Sequence, residues 1–329
     1  ILERSPDGRN EIRIDTDPVL TYSVYRDGKL RVAPTPISMS FEGKGAVGTS
    51  SLLKKPKVLS NQHGSRKAVL PTPIYKKAQI VDDGNETKVA FEGGWEVHLH
   101  ARNDGVAYRF ATVWTDPMVK VLDERGGLVL PSRDLTVYAG LTGGHASSWE
   151  SIYTKTKVGA LKDEQQKLCY LPLLVQYKDG VNLVVTESDL LDYPGWNLVA
   201  DAQDPAKLNS SMAKFPDPAQ VKDNQRQRQV GARFPSLAQT KGTRTYPWRV
   251  FILADRPEKL VENDIVYALA TPSRLEGDLS WIKPGKVAWE WWNCWNVYGK
   301  GVDFKAGCNT ATYKHYIDFA AETGLEDVI

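Results

Sequence analysis

Short runs of alternating apolar and polar residues, parted by turn-forming pairs, dominate the chain up to residue 255. Residues 20–25 and 30–32 flank Asp27-Gly28, a favoured hairpin turn because glycine accepts positive φ. Trp95, Val97, Leu99 and Ala101 alternate with Glu96, His98 and His100, and Asn103-Asp104-Gly105 then turns the chain into Val106, Tyr108 and Phe110. A third hairpin is predicted where 171–177 and 181–185 flank Asp179-Gly180. Pro247 precedes a further apolar run over 248–253, a strand start where a missing N–H is tolerated. Many strands, frequent turns and few helical periods predict a large antiparallel β-sandwich over residues 1–255. The polar, proline-containing stretch 209–228 reads as a long loop.

The period changes after residue 255. Leu260, Val261, Ile265, Val266 and Leu269 recur at three- and four-residue steps, which predicts a helix over 256–270 within a helical linker, 256–284. Residues 287–291 read as a buried strand. Asn309 or Thr310 can cap the next helix, whose apolar stripe is Tyr313, Tyr316, Ile317, Ala320 and Ala321, and Gly324 suits its left-handed stop. Residues 325–329 begin another strand. Strand, loop, helix and strand make one βαβ unit with parallel strands. Residues 285–329 are therefore expected to open a (β/α)8 TIM barrel, which needs eight such strands. The fold class is multidomain, β plus α/β. Ending inside a strand implies that the natural polypeptide continues past Ile329.

Composition narrows the function classes. The net charge of +2 gives no reason to expect nucleic acid or another polyanion as partner. The basic residues Lys54, Lys55 and Lys57, and Arg226 with Arg228, read as solvated loops. No apolar stretch approaches the roughly 20 residues of a membrane helix. The chain opens on Ile1 and a charged run rather than on a signal peptide, and the missing initiator Met points to processing or trimming. Cys169, Cys294 and Cys308 lack metal-type spacing, and they allow one disulfide without demanding it. Oligomeric state is not set by the sequence.

Aromatic residues carry more information. Five of the ten tryptophans, Trp281, Trp289, Trp291, Trp292 and Trp295, fall within fifteen residues. The loop 292–308 follows the first barrel strand, where such barrels build their active sites. Aromatic faces pack against the C–H faces of sugar rings, and amide, carboxylate and ammonium groups bond hydroxyls. Glu290, Trp291, Asn293, Trp295, Asp303 and Lys305 are the candidate substrate-binding residues. Packing between domains explains Trp281 and Trp289 as well as a sugar contact does, and Trp291, Trp292 and Trp295 less well. On a strand, Glu290 and Trp291 would face opposite sides. Glu187 closes an apolar strand and opens Ser188-Asp189 and Asp192-Tyr193-Pro194-Gly195; such oxygen-rich turns can hold Ca²⁺, but on spacing alone an exposed acidic turn is the simpler reading. His98 and His100 share one strand face with no third ligand nearby, which reads as a solvent-facing surface rather than a metal site.

These segments resemble a known family. Val287-Ala288-Trp289-Glu290-Trp291-Trp292-Asn293, Val302-Asp303-Phe304-Lys305-Ala306-Gly307 and residues 313–320 resemble the barrel start of glycoside hydrolase family 97. Asn103-Asp104-Gly105-Val106-Ala107-Tyr108-Arg109-Phe110, Thr186-Glu187-Ser188-Asp189-Leu190 and Asp192-Tyr193-Pro194-Gly195 resemble its N-terminal domain. The resemblance implies a β-super-sandwich, a catalytic barrel, a small C-terminal β domain and exo-acting hydrolysis of oligosaccharides or α-glycosides. It implies an active-site Ca²⁺ with Glu187 as a ligand, and a periplasmic or secreted location. The Glu-Trp-Trp-Asn form is similar to the retaining, α-galactosidase-type branch; an inverting α-glucosidase and a non-catalytic carbohydrate-binding protein are the alternatives. The family's catalytic carboxylates have no counterpart within residues 1–329, so this chain alone is expected to be inactive. Cys294 departs from the polar residue expected there.

Overall fold

The three hairpins form where Asp-Gly or Asn-Asp pairs predict them. Thr21–Arg26 and Lys29–Pro36 pair antiparallel around Asp27 and Gly28, both with positive φ (51° and 71°), the backbone that a two-residue turn needs. Trp95–Arg102 pairs with Gly105–Thr112, and Leu168–Gln176 with Asn182–Ser188. The structure is a computed structural model that describes residues 1–43, 49–52, 55–72, 75–164, 168–223 and 228–329. Lys54 and Arg226 lie outside the described residues; Lys55, Lys57 and Arg228 are exposed, as expected. The chain divides into two compact units, one of Ile1–Leu70 with Gln79–Pro272, the other of Pro71–Ala78 with Ser273–Ile329.

The first unit is a mostly antiparallel β-sandwich. Among the described residues, its larger sheet has 17 strands and its smaller has four: Ala238–Thr240, Val119–Arg125, Ser38–Gly43 and Thr49–Leu52 in that order. Strand alternation sends Val97, Leu99, Val185 and Phe251 of the large sheet, and Met39, Phe41 and Val121 of the small one, into one shared core. Phe41, Trp95 and Trp114 meet edge to face with centroids 4.9–5.1 Å apart, which joins the two sheets. Each such ring stabilises the fold by ~1.5–3 kcal/mol through burial alone.

The segment 256–284, expected as a helical linker, divides. Its first part forms two short helices rather than one, Glu258–Val261 and Ile265–Leu269. Asn263 causes the break: its side-chain oxygen accepts from Ile265 N at 3.0 Å, while its amide donates to Asp104 O at 3.2 Å. Ile265 and Leu269 then pack on Ala107, Trp248, Val250 and Ile252, so this stretch covers the outer face of the large sheet within the first unit. The stretch 209–228 is also not simply a loop. It holds the end of Lys207–Met212 and, at Val221–Asp223, one arm of a hairpin with Arg228–Val230.

In the second unit, Val287–Ala288 pairs in parallel with Asp327–Val328, and helix Thr310–Thr323 lies between them in sequence. Asn309 caps the helix by accepting from Thr312 N at 3.0 Å, and Gly324 ends it at φ 68°. The strand expected over 287–291 stops at Ala288. Residues Glu290–Asn293 instead form a 3₁₀ turn, closed by Cys294 in the left-handed conformation and by Trp295 N donating to Glu290 O at 2.9 Å.

The large sheet is tied to its first hairpin by charge. Asp255 accepts two bonds from the buried Arg26, both 2.9 Å, and one from Arg9 at 3.0 Å. The Arg26 bonds, with Arg9 adding to them against a smaller opposing effect of burial, lower the Asp255 carboxyl to about 2. A depressed carboxyl contributes stability above its unfolded value and loses it as pH falls towards the folded one. Asp255→Asn should therefore lower the denaturation midpoint at pH 7 and flatten the acid slope between about pH 4 and 2. Denaturant titrations at a series of pH values check this; parallel curves for the two proteins contradict it.

Candidate functional site

Glu187 lies near the end of strand Asn182–Ser188, directly opposite Arg249 of strand Trp248–Ala254. Alternation puts Arg249 on the same face as the core residues Phe251 and Leu253, so its guanidinium points inward and is 1% exposed. Two carboxylates meet it there. Arg249 Nη1 donates to Glu187 Oε2 at 2.7 Å. Its Nε and Nη2 both donate to Glu124 Oε1, at 3.0 and 2.7 Å.

Glu124 comes from the other sheet, and a backbone irregularity aims it. In Val119–Arg125, Val119 and Val121 face the core, and strict alternation would turn Asp123 inward next. The register shifts between Val121 and Asp123, so Glu124 is the buried residue and Asp123 is not. The triad therefore clamps the small sheet to the large one through a buried charge.

The exposed acidic turn proposed for Glu187 is corrected: its side chain is 15% exposed and held from two sides. Besides Arg249, the backbone N–H of Trp196 donates to Oε1 at 3.0 Å and to Oε2 at 3.1 Å. Burial is the largest influence and raises the carboxyl above its usual range, with Arg249 and the Trp196 N–H pulling it partly back. Nearby Asp189 is committed elsewhere, to Thr271 N at 2.8 Å and to Arg109 at 3.4 Å.

Glu187 opens on a cleft of about 550 Å³, lined also by His145, Trp149, Tyr153, Tyr170 and Asn197. Tyr170 sits where it does because its cross-strand neighbour is glycine: a Cβ on Gly140 would lie 2.3 Å from the ring. Trp149 and Tyr153 then meet Tyr170 edge to face, with centroids 5.4 and 6.0 Å away. An aromatic wall beside one carboxylate suits a sugar ring. A larger cleft of about 840 Å³ borders on the same Ala213 but does not include Glu187; its Arg233 and Arg244 are engaged with backbone carbonyls. Sequence reasoning missed His145, Trp149, Tyr153 and Tyr170, although Trp149-Glu150-Ser151-Ile152-Tyr153 is itself an aromatic-bearing loop.

In the second unit Glu290 is buried, and Trp291 and Asn293 are exposed. Tyr313 donates to Glu290 Oε1 at 2.9 Å, Trp295 Nε1 donates to Tyr313 at 3.2 Å, and Glu290 Oε2 is buried without a protein partner. Tyr316 donates to Asn293 Oδ1 at 2.6 Å, and Trp291 stacks on Trp295 with centroids 6.3 Å apart. Glu290, Trp291, Asn293 and Trp295 thus form one cluster around the 3₁₀ turn. Asp303 and Lys305 are exposed. Trp281 and Trp289 are exposed in this unit as well, at 75% and 46%.

The His98 and His100 strand face is not solvent-facing. His98 is 8% and His100 1% exposed. His100 lies opposite Ala107, one of the residues the helix Ile265–Leu269 packs against. His98 pairs with Glu96 at 2.6 Å and His100 with Asp82 at 3.2 Å. Among the described residues no group of three or more His, Cys, Asp or Glu could hold a metal by itself. All three cysteines are free.

Comparison with known proteins places this geometry. Residues 4–272 match the family model for the glycosyl-hydrolase 97 N-terminal domain, and 291–329 match that for glycoside hydrolase 97. A protein of Bacteroides thetaiotaomicron named retaining alpha-galactosidase is 37% identical over 335 residues, which cover 99% of this chain and 49% of that protein. A family 97 enzyme from Pseudoalteromonas sp. strain K8, solved with acarbose, superposes with a TM-score of 0.78 at 24% identity, covering all of this chain and 46% of that one. A β-arabinopyranosidase superposes equally well, TM-score 0.78, at 18% identity, over 100% of this chain and 50% of that one. These two likenesses establish the fold alone. The chain spans about half the length of the relatives it matches. From the sandwich with its inward carboxylate to the tryptophan-rich turn, the chain belongs to glycoside hydrolase family 97.

Proposed function

We propose that the complete protein is an exo-acting, retaining α-galactosidase that takes terminal α-galactosides of oligosaccharides or simple glycosides, outside the cytoplasm. The 37% identity to a retaining alpha-galactosidase over nearly the whole chain is the observation that carries this reading. The parallel pair Val287–Ala288 and Asp327–Val328 is the expected first step of the (β/α)8 barrel that would house the chemistry.

The reaction needs two carboxyl groups. One protonates the leaving oxygen and the other attacks the anomeric carbon, about 5–5.5 Å away in retaining enzymes. Both are assigned to the part of the protein beyond residue 329. This chain contributes binding. Trp291 and Trp295 supply stacked aromatic faces, and Asn293, Asp303 and Lys305 supply polar contacts to hydroxyls. Buried Glu290, held by Tyr313, is aligned for a hydroxyl or for a charged neighbour on its unpartnered oxygen.

Glu187 fits one ligand position for Ca²⁺ rather than a whole site. Its Oε2 accepts from Arg249 and from Trp196 N, whereas Oε1 accepts only from that backbone N–H, and the residue borders the cleft. A hard cation prefers such oxygens, six to eight of them, so the other ligands belong to the rest of the protein. When bound, Ca²⁺ would supply positive charge near the leaving group.

The full-length protein should hydrolyse an aryl α-galactoside, and NMR of the first-formed sugar should show the α anomer. A β product assigns the protein to an inverting branch, and no hydrolysis leaves a carbohydrate-binding role. Glu187→Gln should weaken Ca²⁺ binding, measured by calorimetry on chelator-stripped protein, and lower activity with it; unchanged affinity removes Glu187 from the metal. Trp291→Ala should raise KM or lower kcat while the sandwich melts as in the parent. Wild-type kinetics would reduce that turn to packing.

A further inference from the structure

One positive charge at Arg249 serves two carboxylates, and it does not serve them equally. Two of its three hydrogen bonds go to Glu124, and one goes to a single oxygen of Glu187. Glu124 is 3% exposed, Arg249 1%, and neither lines the cleft that Glu187 borders. A guanidinium with Glu187 as its sole partner would neutralise that carboxylate and could take both its oxygens in a fork. With Glu124 present, the three groups together carry one excess negative charge. Arg249 bonds Glu187 at Oε2 and not at Oε1, and of the three groups Glu187 alone borders the cleft, so it is there that the excess charge meets a ligand.

We infer that Glu124 and Arg249 are positioning residues for cation binding: Glu124 takes up the charge of Arg249, and so keeps Glu187 a net-anionic ligand whose Oε1 is left free of the guanidinium. This rests on Glu187 being a Ca²⁺ ligand in the complete protein, as proposed above. Two features separate it from a role in folding alone. The charge of Glu124 matters, not only its shape. Removing both hidden charges together also restores the excess charge at Glu187.

Ca²⁺ affinity of the full-length, chelator-stripped protein at pH 8 tests this, by calorimetry with CaCl₂ and with thermal melts of the metal-free proteins alongside. Glu187→Gln is the control; if it leaves the affinity unchanged, the reading of Glu187 as a ligand fails first. Given a weakened control, Glu124→Gln should weaken Ca²⁺ binding by about tenfold or more, as loss of a unit charge in a low-dielectric interior requires. The double variant Glu124→Gln/Arg249→Met should recover to within about threefold of the parent, because Glu187 again carries the only charge. Should Glu124→Gln fail to fold, the double variant decides: affinity near that of the parent supports the inference, and affinity as weak as in Glu187→Gln overturns it. Parent-like affinity in a folded Glu124→Gln overturns it too.

Discussion

A guanidinium taken out of water stays buried only where anions meet it with well-formed hydrogen bonds, and Arg249 meets two. The placement of both carboxylates follows from that constraint. The residue sits on an inward-facing strand position among Phe251 and Leu253, where an apolar side chain would be ordinary. Its charge obliges the small sheet to send Glu124 across and the neighbouring strand to present Glu187. Removing Arg249 from such a cluster would leave its two carboxylates without their counter-ion, typically at a cost of about 3–5 kcal/mol. The arrangement is thus costly to alter piecemeal, which makes it a firm mount for one partly open carboxylate.

The surrounding packing keeps that mount in place. The Phe41–Trp95–Trp114 contact fixes the two sheets together from the apolar side. Trp196 holds Glu187 through its main-chain N–H, while its indole donates to Ser210 at 2.9 Å and lies under the Arg249 guanidinium, 5.1 Å away. Gly140 gives Tyr170 room to form the opposite wall of the cleft. The carboxylate, its counter-ion and Tyr170 are all carried on strands, whereas Trp149 comes from the loop that precedes Thr154–Lys157.

Much of the fold was legible in the sequence, because it rests on local signals. Asp27-Gly28 and Asp179-Gly180 announce hairpins through backbone preference, and Asn309 and Gly324 bound a helix through hydrogen bonding and positive φ. The failures are equally physical. The apolar period over 256–270 runs through Asn263 undisturbed, yet that side chain ends one helix turn and starts the next. The run 287–291 is apolar enough for a strand, but the Glu290 carbonyl closes a turn instead. His98 and His100 looked solvent-facing because the covering helix is more than 160 residues away in sequence. The site was legible only in part. Glu187 stood out through its turn and its resemblance, whereas nothing in the sequence singled out Glu124, whose inward direction comes from the register shift beside it. Arg249 is 125 residues from Glu124 and 62 from Glu187, and no periodicity links positions so far apart.

The most direct test of this account is a crystal structure of the full-length protein grown with Ca²⁺, with the metal located by its anomalous scattering. A Ca²⁺ is expected about 2.3–2.6 Å from Glu187 Oε1, with Arg249 still bonded to Oε2 and to Glu124. A Ca²⁺ ion bound without any oxygen of Glu187 in its coordination shell would contradict it.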